Sequence, residues 1–563
     1  MNDPNGLFKD SEGTWHMYYQ YGEAVDGNGI YKDWGHTTST DFYDWVDQPV
    51  AIPASDSQGS IWSGSAIIDT ENVSGFFSNQ TAAEDNVVAF FTSYTDPQEA
   101  QSLAYSLDGG ESFIPDPDNP IISLNRHGFR DPKVTWHEAS KKWIMVTTLG
   151  DAVAFWTSSD LRDWNQTSVW TPSDPVGIVE CPQFLTIPRR DDSGKFIESV
   201  YVLLISIGNV LYENVRSAVR YMPGTFDGET FTPTPAPDAV QNGTNYWLQD
   251  YDFGPDTYAT AFWYDKDAHA QDSVHSISWA TQAIGGYACC TPTDTEGWRH
   301  TMTTAREHWL DADYRLVTRP ASTGPVAGEP IIDKSDVESV EFAYDDDLQA
   351  QNPAVEFTWT VRARADTTAQ LALVSTETGE NLTVTVALSA GAASVSLHRS
   401  MQGWSSASHI DDWSEASVEP ASVKGDEATY SIYGIYDRSI FEIFVNDGDS
   451  SGTMLFFANG VVDQILVGSA DSINSTGTSG GASASFDFKA TTLRSVWGSS
   501  TSSKSAVEET RDEGVIRKQG SDDYVALGIQ RRESSTSSKS SAETYVDESV
   551  IRKQGSASFR PLG

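Results

Sequence analysis

Five short phrases recur along the first 330 residues, each placing polar groups and a small or turn-forming residue at the start of an apolar strand. They are NDPNGLF (2–8), WSGSAII (62–68), RDPKVTW (130–136), ECPQFLT (180–186) and DFGPDTY (252–258). Internal repetition constrains a fold more tightly than local propensity does. A second phrase is interleaved with the first: TTSTDFYDW (37–45), AYSLDGGESF (104–113), TSSDLRDW (157–164) and, more loosely, YMPGTFDGETF (221–231). Each copy joins a strand end, an Asp/Gly turn and an aromatic restart, as hairpins do. The two phrases predict a five-bladed β-propeller over residues 1–330. The innermost strands of such a propeller all start at one end of the central channel, so five polar strand starts would meet in one funnel.

Beyond it, RPASTGPVAGEPIIDK (319–334) reads as a Pro/Gly connector. Alternating strands then run to FDFKATTLRSVW (486–497), which predicts a two-sheet β-sandwich over 335–498. The sandwich is expected to buttress the propeller and to offer a surface for a homodimer. From residue 499 to 563 the chain turns Ser-rich, and SSTSSKSAVEETRDEGVIRKQG recurs as SSTSSKSSAETYVDESVIRKQG. That tail is expected to be disordered, with VIRKQG either a docking motif or part of a plain linker. The fold class is therefore all-β: propeller, sandwich, then low-complexity tail. The 18 Trp, 22 Tyr and 24 Phe fit a chain built of strands rather than amphipathic helices.

Asp and Glu number 80 against 36 Lys and Arg, a net charge of -44. Such a surface repels phosphate backbones and suits a neutral ligand, so no nucleic acid partner is expected. No apolar run approaches ~18 residues, so no membrane span is expected. The three cysteines, Cys181, Cys289 and Cys290, make no disulfide framework, and the vicinal pair reads as packing. Sequons at Asn72, Asn79, Asn165, Asn242, Asn381 and Asn474 argue for a secreted, N-glycosylated protein. No signal peptide precedes the opening MNDPNG, which reads as the start of a mature or shortened form.

Three carboxylates stand at the strand starts: Asp3, Asp131 and Glu180. Each alone could be an ordinary turn carboxylate. Together they suit glycoside cleavage, which needs a proton donor, a second carboxylate across the sugar, and anions facing an oxocarbenium-like transition state. Val179 and Cys181 flank Glu180 and imply an apolar setting, which raises a carboxyl pKa as a proton donor requires. Asp3 lies among turn amides that would keep it ionised, as a nucleophile requires. Arg130 beside Asp131 would keep that group anionic too. His16 and His36 read as packed histidines. Trp34 and Trp45 could stack on a sugar or fill a blade.

MNDPNG, QY, WSGS, RDP, ECPQF and DFGPD, in this order and spacing, together with DRSIFEIFVNDG, resemble glycoside hydrolase family 32 over residues 1–498. These are invertases, inulinases and related β-fructofuranosidases and fructosyltransferases. The resemblance implies a propeller plus sandwich. It implies Asp3 as nucleophile, Glu180 as acid/base and Asp131 as transition-state stabiliser. Asn2, Gln20, Trp62, Ser63, Arg130 and Asp252 would line the sugar site. It implies retention, with nucleophile and acid ~5–5.5 Å apart, a substrate such as sucrose or a fructo-oligosaccharide, and no metal or organic cofactor.

The chain departs from that pattern in reading QYGEAVDGNG (20–29) where many members have QYNP, in lacking a Trp before MNDPNG, and in GGYACCTPTDTEGW (285–298). Three rivals remain beside a retaining β-fructofuranosidase. They are a fructosyltransferase using the same intermediate, an inverting arabinan- or xylan-cleaving propeller enzyme, and a sugar-binding propeller without catalysis.

Overall fold

The computed structural model describes residues 1–22, 32–78, 82–173, 175–208, 217–235, 248–265, 267–281, 300–364, 367–389, 392–401, 413–470 and 484–494. All of these belong to one unit, Met1–Trp497. Cys289, Cys290, Asn79, Asn242, Asn474, the repeated tail and most of the loop after Tyr21 lie outside the described residues.

Four of the recurring phrases lie on inner strands of five antiparallel blades, and the fifth, DFGPDTY, leads into one that starts at Tyr258. Blade 1 runs Pro4–Lys9, Trp15–Tyr21, Asp33–Ser39 and Val46–Ile52. The inner strands of blades 2 to 5 are Ser60–Ile68, Phe129–His137, Ile178–Arg190 and Tyr258–Phe262. Blade 5 ends with Leu316–Pro320. The ring closes where Phe8 pairs with Tyr264 in parallel, with Lys9 N–H on Tyr264 O at 3.0 Å and Tyr264 N–H on Leu7 O at 2.9 Å.

The hairpin phrase falls between the third and fourth strands of blades 1 to 4. Its chemistry repeats in blades 1 and 3. Asp41 Oδ1 accepts from the Tyr43 and Asp44 amides, and Asp160 Oδ1 accepts from those of Arg162 and Asp163. In both turns an indole, Trp45 or Trp164, donates at 3.0 Å to the carbonyl three residues back. An Asx side chain replaces backbone partners that a tight turn cannot supply.

Apolar layers separate the blades. Phe8, Tyr18, Trp34, Ile61 and Phe91 fill the layer between blades 1 and 2. Trp34 is fully buried there, so it is blade filler, and its Nε1–H donates to Trp62 O at 3.0 Å. His16 and His36 are buried in blade 1, with His16 Nδ1 3.1 Å from His36 Nε2.

The sandwich begins at Ala327 and packs two antiparallel sheets over Phe357, Trp359, Phe441, Phe486, Leu371 and Val384. Its strand Ser450–Leu455 grips the propeller. Arg306 of blade 5 is fully buried and donates to Asp252 and Glu442 at 2.8 Å each and to Thr453 Oγ1 at 2.6 Å. Arg399 of the sandwich donates to Asp256 at 2.5 Å. At Gly254 a Cβ would stand 2.0 Å from Thr453 O, so only glycine fits this backbone approach.

Candidate active site

Each inner strand carries a β-bulge near its start, placed after Asn5, Ile61, Arg130, Glu180 and Tyr258. Four of the five bulges open on a residue with positive φ: Gly6 (54°), Asp131 (61°), Cys181 (46°) and Ala259 (48°). That region favours glycine, and three of these four residues are not glycine. Backbone strain of this kind gathers where a bulge must re-aim side chains. Here the bulges bring side chains of the strand starts into one pocket.

The side chains meet in a hydrogen-bonded cluster. Ser63 Oγ donates to Asp3 Oδ2 at 2.5 Å, and the Cys181 thiol lies 3.7 Å from the same oxygen. The Cys181 amide donates to Asp131 Oδ2 at 2.8 Å, and Thr92 Oγ1 accepts the Asp131 amide at 2.9 Å. Arg130 Nη2 donates to Glu180 Oε1 at 2.8 Å, and the Tyr258 hydroxyl donates to Glu180 Oε2. Arg130 Nη1 lies 3.2 Å from Glu99, whose carboxylate is wholly buried. Blades 1 to 5 thus all contribute to one site, with Asp131, Glu180 and Glu99 around a single guanidinium and Asp3 beside them.

Burial pushes Asp3 above the usual carboxylate range, opposed by the Ser63 hydrogen bond and reinforced by Glu180. Burial also pushes Asp131 up to about 7, against the pull of Arg130 and with the push of Glu180. The expectation that turn amides and Arg130 would hold both groups low is therefore corrected: desolvation outweighs those contacts. Burial, with Asp131 and Asp3 nearby, holds the Cys181 thiol protonated, so it acts as a donor. Burial and the Glu180 carboxylate likewise keep the Tyr258 hydroxyl protonated. Burial alone would lower Arg130, but Asp131, Glu180 and Glu99 more than offset it and keep the guanidinium charged. The apolar setting read for Glu180 is also corrected, since both its oxygens face polar donors and its side chain is 26% exposed.

Asn2 and Gln20 brace the first strand start. The Asn2 amide donates to Gln20 O and the Gln20 amide to Asp3 O, each at 3.1 Å, while Gln20 Nε2 reaches Ile61 O at 3.2 Å. Trp62 is half-exposed and lies parallel to Tyr94, with ring centroids 4.1 Å apart.

Asp252 goes elsewhere. Its Oδ1 accepts from the Gly254 and Thr453 amides, and its Oδ2 from Arg306 and Thr453 Oγ1. With both oxygens taken at the propeller–sandwich junction, it has no bond to Asp3, Asp131 or Glu180. Sequence reasoning placed Asp252 at the fifth strand start, but the residue that precedes the fifth bulge is Tyr258. Tyr258, Glu99, Thr92 and Cys181 were missed as site residues. No local sequence signal marks Tyr258; in the structure it stands directly before its bulge, as Arg130 and Glu180 do.

Residues 1–320 match the glycosyl hydrolases family 32 N-terminal domain, and residues 328–492 match the family 32 C-terminal domain. An extracellular exo-inulinase of Meyerozyma guilliermondii is 31% identical over 477 residues, covering 82% of this chain and 88% of that protein. Invertase 1 of Saccharomyces cerevisiae is 30% identical over 483 residues, covering 81% and 87%. Among solved structures, a fructofuranosidase from Schwanniomyces occidentalis complexed with fructose superposes with a TM-score of 0.75 at 25% identity, covering 88% of this chain and 96% of that one. An exo-inulinase from Aspergillus awamori gives a TM-score of 0.72 at 26% identity, covering 88% and 96%. These matches and the site agree: the chain is a glycoside hydrolase of the β-fructofuranosidase type and belongs to family 32.

Proposed function

We propose that this chain is a retaining β-fructofuranosidase that removes terminal β-D-fructofuranosyl residues from sucrose and short fructans. Asp3 is the nucleophile, Glu180 the acid/base, and Asp131 the group that holds fructose hydroxyls and faces the developing positive charge. The observation that carries this is the cluster itself: carboxylates from blades 1, 3 and 4 share one hydrogen-bonded pocket with Ser63 on Asp3 and Arg130 on Glu180. The exo-inulinase and invertase relatives support the substrate class.

Ser63 and Cys181 hold Asp3 Oδ2, which leaves Oδ1 to attack the anomeric carbon. As that bond forms, the glycosidic C–O bond breaks and the leaving oxygen takes the Glu180 proton. Water then gives a proton to Glu180 and its oxygen to the anomeric carbon, and the ester to Asp3 breaks. Two inversions release fructose with its configuration retained. The net negative charge of the pocket opposes a neutral ground state less than it favours a positive transition state. Asn2, Gln20, Trp62 and Arg130 complete the fructose subsite.

The exposed sequon Asn165 and the extracellular relative support a secreted, N-glycosylated protein.

The test is sucrose turnover by the whole chain beside Glu180→Gln, with glucose, fructose and trisaccharide read separately. Loss of a general acid costs typically 10²–10⁴-fold. Equal glucose and fructose from the parent, with that loss in the variant, supports hydrolysis. Trisaccharide accumulation places the chain among transferases. No turnover by the parent would make it a binding propeller.

A further inference from the structure

We propose that His127 binds a hydroxyl of the saccharide unit that leaves, and so helps set leaving-group and acceptor specificity. The proposal rests on the fructosidase reading above and extends it outward from the fructose subsite.

His127 is exceptional among surface histidines because its outer half is free while its inner half is fixed. Nδ1 lies 2.7 Å from Glu99 Oε1, although the His127 side chain is 86% exposed and that of Glu99 is fully buried. The same Glu99 carboxylate accepts from Arg130, and Arg130 donates to Glu180. His127 therefore stands one carboxylate and one guanidinium away from the proposed acid. The ring geometry turns Nε2 away from Glu99, and among the described residues Nε2 has no partner.

The supporting loop is tied down. Gln98 Nε2 donates to Asn125 Oδ1 at 2.6 Å, and Arg126 donates to Leu149 O at 2.7 Å. Gly128 has φ +80°, and a Cβ there would stand 3.0 Å from Gly150 Cα. Glu99 also sits directly opposite Tyr94 in its strand pair, and Tyr94 lies parallel to Trp62. Trp62 lies against Tyr94, Tyr94 stands across from Glu99, and Glu99 holds His127, so all three adjoin the carboxylate that Arg130 links to Glu180. Aromatic faces with a polar group beside them suit a sugar ring and its hydroxyls. With Nδ1–H given to the Glu99 carboxylate, Nε2 is an acceptor for a sugar hydroxyl, and an acceptor held in place before binding loses little entropy when it bonds.

The leaving unit must lie beside the Glu180 proton, and a sugar acceptor occupies the same place when it attacks the fructosyl-enzyme. His127 would serve a glucosyl or fructosyl unit in both directions, but not a leaving group without hydroxyls.

The experiment compares sucrose with 4-nitrophenyl β-D-fructofuranoside in the whole chain, in His127→Ala and in His127→Gln. One hydrogen bond is worth up to roughly tenfold. The expected result is that His127→Ala lowers kcat/KM for sucrose about five- to tenfold more than for the aryl fructoside, chiefly through KM. The trisaccharide-to-hydrolysis ratio at high sucrose should fall with it. His127→Gln, which keeps an acceptor, should recover part of both. Equal losses on the two substrates would overturn the proposal, because His127 would then act only through Glu99 and Arg130. No change on either, in a parent that cleaves both, would overturn it alone. A parent that cleaves neither would overturn it together with the fructosidase reading.

Discussion

Arg130 donates to Glu180 Oε1 at 2.8 Å while its other terminal nitrogen lies 3.2 Å from buried Glu99. A planar guanidinium spans two carboxylates, and an ammonium at the same place serves one well at best. Arg130→Lys should therefore fold and still lose about 10²-fold or more in kcat/KM for sucrose. Steady-state kinetics beside a thermal melt checks this. Activity within threefold of the parent would show that the bridge does not orient Glu180.

Tyr258 holds the second oxygen of Glu180. Tyr258→Phe removes one hydrogen bond to a carboxyl group and should lower kcat about 10- to 100-fold. Asp252→Asn makes the contrast, because Asp252 serves the junction. It should lower the melting temperature more than kcat. The reverse pattern would return Asp252 to the sugar site.

Burial pushes Asp131 up to about 7 in the folded protein, against ~3.9 unfolded. A carboxyl raised on folding stabilises the fold most when protonated, below the unfolded value. That contribution is lost as pH rises through the folded value. Asp131→Asn should thus melt roughly 2–4 °C above the parent at pH 8, with the gap closing toward pH 4, while turnover is lost. Equal melting temperatures at both pH values would contradict this.

The junction should behave as one buried ionic unit. Glu442 touches Arg306 and the Thr304 amide, and Arg306 also holds Asp252. Breaking a buried pair from one side typically costs about 3–5 kcal/mol. Glu442→Gln and Arg306→Met should each destabilise the whole chain by that order in urea unfolding, and the double change should cost less than the sum. Strict additivity would mean that the two residues do not share a network.

Asp3, Asp131 and Glu180 could be singled out as candidates because each stands at the start of a repeated apolar strand, and repetition is visible without structure. Glu99 was not. It lies within a strand between Gln98 and Ala100, and only the fold brings it to Arg130. Tyr258 was not singled out, since nothing local in DFGPDTY distinguishes it from any other aromatic that enters a strand. Asp252 misled because DFGPD repeats the turn chemistry of NDPNG, while the bulge that aims side chains into the pocket follows Tyr258. The acidities of Asp3 and Asp131 were misjudged for a similar reason. Turn amides and Arg130 are local and visible, whereas burial depends on the other blades.

The most direct test is to trap the intermediate. Glu180→Gln lacks the group that activates water, and an aryl fructoside needs no proton to lose its leaving group. Acid quenching of that reaction, followed by peptide mapping, should find the mass of one fructosyl unit on the peptide that carries Asp3. A fructosyl group on Asp131, or none at all while the parent chain releases fructose of inverted configuration, would contradict the account.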